Sequence, residues 1–475
     1  MNRFTGFALS SIFIAVLSGC TAVGPDYAKP DMLMPANWTN APAKSAMEQD
    51  LSRWWLKLGD PLLSDLIAQS LKASPDLRSA QAKLREARAR RGLAGANQFP
   101  TISASASENY SKSNAALASA GGFTGELYNA GFDASWEPDI FGGARRATEA
   151  AQADLEGSAA SLHDTQVSLV AEVALNYVEL RAYQARLAIA QDNLASQSET
   201  LALTGWRADA GLTSSLDVEQ ARANQEQTRA QIPSLESSLA QTEHRLAVLI
   251  GQTPGTLYDK LEKPAPIPAA PDDVAVGIPA DTLRQRPDVR VAERKLAAET
   301  ARIGETTATL YPGFKLSGSI GWEALGFAAL GGSDSFTSSL LGSVTATLFD
   351  GGRIRQNIEI QNAIQEQALV SYEKTVLSAL EEVENALVSY ANSRKREQAL
   401  REAADAAHNA VLMARYRYTS GITDFQIVLD TERTLLTVQD SLKTTEADSI
   451  SDLIRLYKAL GGGWQASADG ENTPF

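Results

Sequence analysis

The sequence predicts an α+β membrane protein built as a tandem repeat. Each chain has four amphipathic β-strands that need partner copies to close a barrel, and two helical hairpins of unusual length. Three observations predict it: motifs recurring about 210 residues apart, strand-like segments alternating apolar with small polar residues, and proline-free helical stretches carrying a seven-residue leucine period.

The chain opens on an export signal. Arg3 supplies a positive start, and Phe7 to Leu17 is apolar but shorter than the ~20 residues a membrane helix needs. The stretch ends in Leu17-Ser18-Gly19-Cys20, which resembles the bacterial lipobox. Residues 1–19 then read as a lipoprotein signal peptide, and Cys20 as the first mature residue, carrying an N-acyl group and an S-diacylglycerol. An ordinary signal peptide with a chance cysteine is the alternative, and the presence of one cysteine in the whole chain weighs against it. The same count leaves no intramolecular disulfide and no cysteine metal cluster. Thr21 stands where an aspartate resembles an inner-membrane retention signal, which points to the outer membrane.

Residues 20–60 read as a lipid-anchored segment, and repeat 1 follows over residues 61–251. Ser74-Pro75-Asp76-Leu77-Arg78 recurs as Arg286-Pro287-Asp288-Val289-Arg290, and Phe99-Pro100 as Tyr311-Pro312. Each unit begins with a helix ended by proline (Pro75 to Gln98; Pro287 to Leu310), because proline cannot continue it. Two strands follow, at 101–113 and 127–138 in repeat 1 and at 313–322 and 340–349 in repeat 2, which spans 281–461. Ile102, Ala104 and Ala106 alternate with serines, and Gly342, Val344, Ala346 and Leu348 alternate with Ser343, Thr345 and Thr347. Trp136, Trp322, Phe314 and Phe132 are candidates for interfacial girdles.

Beyond a glycine pair, a long helix runs to a turn at Gly211 or Gly421, where glycine permits positive φ, and a second helix returns. Free of proline from Gly143 to Ala210, the first of these reaches about 100 Å at 1.5 Å per residue. Val173, Leu180, Leu187, Leu194 and Leu201 follow at sevens, as do Leu435, Leu442 and Leu456 with Ser449 in the gap, and we read them as helix packing. Residues 252–280, rich in proline, read as a surface connector, and residues 462–475 as a poorly ordered tail.

Four amphipathic strands leave two edges bare, and hydrocarbon does not tolerate unpaired backbone groups. Barrels take eight or more strands, so two copies barely close one and three give twelve. A soluble β-domain with a coiled coil is the competing architecture. The length and duplication of the hairpins favour a tube.

These residues resemble the TolC-like outer membrane factor family, in its lipoprotein branch serving resistance-nodulation-division (RND) pumps. The resemblance rests on Val23-Gly24-Pro25-Asp26-Tyr27, the two Pro-Asp-[Leu/Val]-Arg starts, Phe349-Asp350-Gly351-Gly352 and Tyr457-Lys458-Ala459-Leu460-Gly461-Gly462-Gly463-Trp464, and covers the mature chain. It implies a homotrimer in the outer membrane and its lipid: a twelve-stranded β-barrel continuing into an α-helical barrel through the periplasm, with an equatorial collar. It implies a periplasmic adaptor (membrane fusion) protein and an inner-membrane RND pump as partners, and a passive efflux conduit as the function.

Both hairpins turn at Arg-x-x-x-Gly-[Leu/Ile]-Thr. Asp430 and Arg433, three apart, share a helical face beside Asp424, and the plain reading is a solvated pair contributing a few tenths of a kcal/mol. In the family, acidic and basic residues near this tip close the tunnel, and Asp430 and Arg433 fall on those positions. Gln426 stands where relatives resemble a leucine constriction, while Tyr418 and Asp217 are lesser gate candidates at the same end.

A formal charge of −14 disfavours a nucleic-acid partner and suits an acidic surface or lumen. His163, His244 and His408 are scattered without ligand spacing, and no phosphate-binding glycine loop or Gly-x-Ser-x-Gly elbow occurs. No resident cofactor or metal and no catalysis are expected. A type I protein-secretion channel and a periplasmic coiled-coil adaptor are the alternatives. An adaptor shows one hairpin between lipoyl-like and barrel segments, not a full tandem repeat.

Overall fold

The computed structural model describes residues 22–32, 34–40, 50–112, 124–271 and 279–465. Cys20, Thr21 and the lipobox lie outside them. In chain order the elements are α1 (Pro61–Ala73), α2 (Pro75–Ala96), β1 (Thr101–Lys112), β2 (Thr124–Trp136), α3 (Gly143–Asp209), α4 (Ser215–Leu249), α5 (Tyr258–Leu261), α6 (Pro279–Gln285), α7 (Pro287–Ala308), β3 (Gly313–Ala324), β4 (Phe336–Thr345), α8 (Arg353–Thr419) and α9 (Phe425–Ala459). The repeat is metric as well as sequential. α2 and α7 each hold 22 residues, α3 and α8 each 67, α4 and α9 each 35.

Interleaved stretches form two compact units. The first takes Lys83–Ala159 and Val291–Glu373 with the described part of Met1–Asp31, and holds the sheet. Its strands run antiparallel in the order β1-β2-β3-β4, so β1 and β4 are edges. Register places Ser103 beside Asp133 and Asp133 beside Ser319 on one face, and Ala104 beside Phe132 and Phe132 beside Ile320 on the other. That register corrects one expectation: Phe132 sits in the middle of the sheet, not at a rim. Trp136 lies at the helix end with its Nε1 donating to the Gln98 carbonyl (3.0 Å), while Trp322 stacks edge-on with Phe336 at the far end. β4 also starts and stops about four residues earlier than its alternation indicates. Thr345 already faces Gly313, and beyond Gly313 lies Pro312, which has no N–H for a ladder.

The second unit takes the described parts of Met32–Ala82, Ala160–Arg290 and Lys374–Phe475. Its core gathers Trp54, Leu63, Ile67, Tyr177, Leu246, Leu453 and Tyr457, with Trp54 stacked on Tyr457 at 5.4 Å. Three expectations change here. α1 precedes the helix read from Pro75. Asp60 caps it by accepting from Leu62 N and Leu63 N, and also accepts from the Tyr177 hydroxyl at 2.6 Å. The connector is anchored, for Leu257 and Leu261 are buried in the core and Gln184 donates to the Leu261 carbonyl. The tail begins packed: Gly461 to Gly463 are buried and Trp464 stacks on His163 at 4.5 Å.

The leucine period needs a correction too. Val173 and Leu180 are buried, but Leu187, Leu194 and Leu201 are only half-buried. The buried seam there is Ala190, Asn193, Gln197, Thr200 and Thr204. Undistorted helices drift from a strict seven-residue repeat by ~20° per heptad, which turns the leucines toward the flank over this length.

Candidate functional site

The sheet is the first site. Its polar face carries Ser105 donating to Asp133 (3.0 Å) and a Ser319–Ser339 hydroxyl pair (2.7 Å). The opposite face carries Ile102, Phe132, Ile320 and Leu340, all exposed in the single chain. A contiguous exposed apolar face of this kind marks a surface that meets lipid or another protein.

The hairpin tips are the second site. Gly211 and Gly421 both have φ of 72°, and the bonds are repeated: Leu212 N to Arg207 O at 2.8 Å, Ile422 N to Arg417 O at 2.9 Å. This is the glycine-terminated helix end that returns orphan carbonyls to the chain. The two returning helices start differently. Ser214 and Asp217 form a reciprocal capping box at α4, whereas Asp424 at the head of α9 makes no side-chain cap bond.

The gate candidates separate into two groups. Asp424, Gln426, Asp430 and Arg433 are exposed on the first turns of α9. Asp430 accepts from Gln426 Nε2 (2.9 Å), while Arg433 Nε donates across to Asn224 Oδ1 (3.1 Å). The pair expected on one face therefore holds two different partners. Tyr418 is 3% exposed, in a plug with Phe425, Val428 and Leu429, and the Arg207 guanidinium lies over its ring at 4.7 Å. Asp217 is a cap: the Thr213 hydroxyl donates to it, and this bond, helped by Ser214, holds its carboxyl below the usual aspartate range. A lowered folded value means stabilisation present above the unfolded value of ~3.9 and lost as pH falls through the folded one. Protection of the amides of residues 211–217, taken against their intrinsic exchange rates at each pH, should therefore fall below about pH 4 in the native chain, and Asp217→Ala should remove that dependence.

Sequence reasoning missed a buried polar network just above the tips. Glu432 is 4% exposed, and its Oε1 accepts from Arg415 Nη2 (2.7 Å), Arg415 Nε (3.1 Å) and Thr200 Oγ1 (2.7 Å). Arg415 also donates to the Ser196 carbonyl (2.8 Å), so α3, α8 and α9 are tied at one point. Higher up, Arg186 grips Asp440 with two bonds of 2.7 and 3.2 Å, and Asn193 donates to Gln439 at 3.0 Å. A signal was available. Glu432 falls between Leu429 and Leu435 on the buried stripe of α9, where a charge requires a partner.

A third arrangement explains Val23-Gly24-Pro25-Asp26-Tyr27. Val23 N donates to the Phe141 carbonyl (3.1 Å), and Arg146 donates to Val23 O (3.1 Å), Gly24 O (3.3 Å) and Asp26 (2.7 Å). Gly24, at φ 90°, lies flat on Gly304, where an added Cβ would come 2.3 Å from the Gly304 Cα. Tyr27 packs on Ala153, Ala297 and Ala298. The start of the described chain is thus strapped to α3 and α7.

A sheet apolar on one face, polar on the other and, among the described residues, unpaired at both edges, carried with duplicated hairpins of 67 and 35 residues, defines a protomer of a β-barrel channel with a helical extension. The profile of the outer membrane efflux proteins matches residues 66–252 and 278–462, and the chain belongs to this family. It is 32% identical to Nodulation protein T of Rhizobium leguminosarum bv. trifolii over 98% of this chain and 99% of that one. It is 30% identical to the toluene efflux pump outer membrane protein TtgF of Pseudomonas putida, over 96% of each. Among solved structures, the outer-membrane channel OprN superposes with a TM-score of 0.89 at 38% identity, covering 94% of this chain and all of that one.

Proposed function

We propose that the chain is the outer-membrane component of a tripartite efflux system, three copies forming a passive conduit that exports toxic small molecules without catalysing a reaction. The observation that carries this is the four-stranded sheet whose edge strands β1 and β4 have no partner strand among the described residues. Three copies supply twelve strands, within the range of closed membrane barrels, with Ser, Asn and Asp toward water and Ile, Phe and Leu toward lipid. The likeness to TtgF, an efflux-pump outer membrane protein, and to OprN, an outer-membrane channel, supports the same reading. A periplasmic adaptor and an inner-membrane RND pump are the partners this role requires.

Cys20 carries the N-acyl and S-diacylglycerol anchor in this proposal. Labelling with radioactive palmitate, lost in Cys20→Ala, tests the anchor. The conduit is tested in planar bilayers: purified protein should migrate as a heat-modifiable trimer and give discrete conductance steps, and a monomer passing no ions sinks the proposal.

Asp424, Asp430 and Arg433 act as the periplasmic gate. Three copies of exposed carboxylates around a narrow axis attract cations, and the Arg433–Asn224 bond fixes α9 to α4. Asp430→Ala/Arg433→Ala should raise single-channel conductance severalfold, and unchanged conductance removes both from the gate.

A further inference from the structure

The helices flanking the sheet carry unpartnered outer faces. α2 leads into edge strand β1, and α8 leaves edge strand β4. Closing a ring sets β1 of one copy against β4 of the next, which brings α2 and α8 of neighbouring copies alongside and antiparallel. α2 buries Ala87 inward and leaves Ala89 and Leu93 exposed, Leu93 at 65%. α8 buries Ala368 and Tyr372 inward and leaves Ile360 and Ala363 exposed, Ile360 at 58%. Each outer face is a short apolar seam of the kind helix packing fills.

The charges beside these seams are complementary. Arg85 stands on the flank of the α2 seam and Glu366 on the flank of the α8 seam; both are exposed, and among the described residues neither has an ion-pair partner in its own chain. Arg90, on the other flank of the seam, is by contrast already paired with Glu86 at 2.7 Å. Arg85 lies about 16 Å from the sheet end of α2 and Glu366 about 20 Å from the sheet end of α8, a match to within one turn. Because the helices are antiparallel, the arginine flank of one and the glutamate flank of the other fall on the same side of the contact.

We infer that the outer faces of α2 and α8 are the two halves of one subunit–subunit seam, in which Arg85 of one copy meets Glu366 of the next and fixes the register of the ring. The inference rests on the channel reading, since it takes a second copy of this chain as the occupant. The seam sets neighbour and register through opposite charge, and its stability comes from Leu93, Ile360 and the small residues between them.

The test uses the full chain, whose native sequence has a single cysteine. Chains carrying Arg85→Cys and chains carrying Glu366→Cys are co-expressed and treated with a short bis-maleimide. The expected result is a covalent dimer that survives boiling, absent with either chain alone and absent when Arg91→Cys, on the side of α2 away from Leu93, replaces Arg85→Cys. A second measurement is trimer lifetime at a fixed elevated temperature. Arg85→Glu and Glu366→Arg should each shorten it, by about tenfold with the charges clustered in one seam, and the double exchange should restore it. A wild-type trimer with no cross-link at Arg85 and Glu366, or no restoration in the double exchange, overturns the seam and leaves the channel standing. A wild-type monomer overturns both.

Discussion

Replacing Arg415 with methionine should loosen the hairpin tips more than any other single change outside the core. The substitution keeps the aliphatic stem of the side chain but strands the Glu432 carboxylate, which is buried and, among the described residues, retains the Thr200 hydroxyl alone. Breaking a buried ion pair from one side costs about 3–5 kcal/mol, because the surviving charge has no water and no counter-ion. Glu432 also binds α9 to α3 and α8 at a single point, so the cost falls on the packing between hairpins. Hydrogen exchange read peptide by peptide should show protection falling by about a hundredfold or more across residues 196–204 and 425–435, with bilayer conductance rising in parallel. Arg415→Met/Glu432→Leu should recover most of the protection, since two apolar groups replace the pair. Protection unchanged in Arg415→Met would show that the network adds nothing to the closed tip.

The second large effect is expected at Gly304. A valine there places its Cβ 2.7 Å from the Val23 carbonyl oxygen and 2.8 Å from Arg146 Cγ, so either the strap or the arginine must leave. Overpacking of this kind costs about 1–3 kcal/mol, and here it also releases the bonds Arg146 makes to Val23, Gly24 and Asp26. Limited proteolysis followed by mass spectrometry should find new cleavage within residues 22–32, while the sheet and hairpins stay protected. Gly24→Ala should behave alike for a second reason, since its φ of 90° disfavours any side chain. If the segment stays protected in both variants, the strap is not held by this contact.

Much of the architecture was legible because it is periodic. Alternation of apolar and small polar residues marks strands through the pleat, and a proline ends a helix wherever it stands. The paired glycines at 211 and 421 announced their turns because positive φ is nearly their own. Less legible was anything decided by a partner distant in sequence. The alternation at Ala346, Thr347 and Leu348 looks like strand, yet the ladder stops at Thr345 because β3 has nothing left to pair. The leucines at 187, 194 and 201 looked like a core, yet asparagine, glutamine and threonine fill the seam beside them. At the tips, the spacing of Asp430 and Arg433 puts them on one helical face, while the bonds to Gln426 and Asn224 are set by the fold. Tyr418 packs in the tip cluster and Asp217 caps α4, contacts that their places in the sequence do not announce.

By itself the sequence determined the repeat, the element types, the hairpin turns and the need for other copies, because each follows from local periodicity and from the cost of an unpaired strand edge. Only the tertiary structure decided the strand register, the Arg415–Glu432 tie and the strap under Arg146. Those depend on which side chains meet across long loops, and the free energy of a buried charge or a close backbone contact is fixed by that neighbour rather than by the residue's own place in the chain.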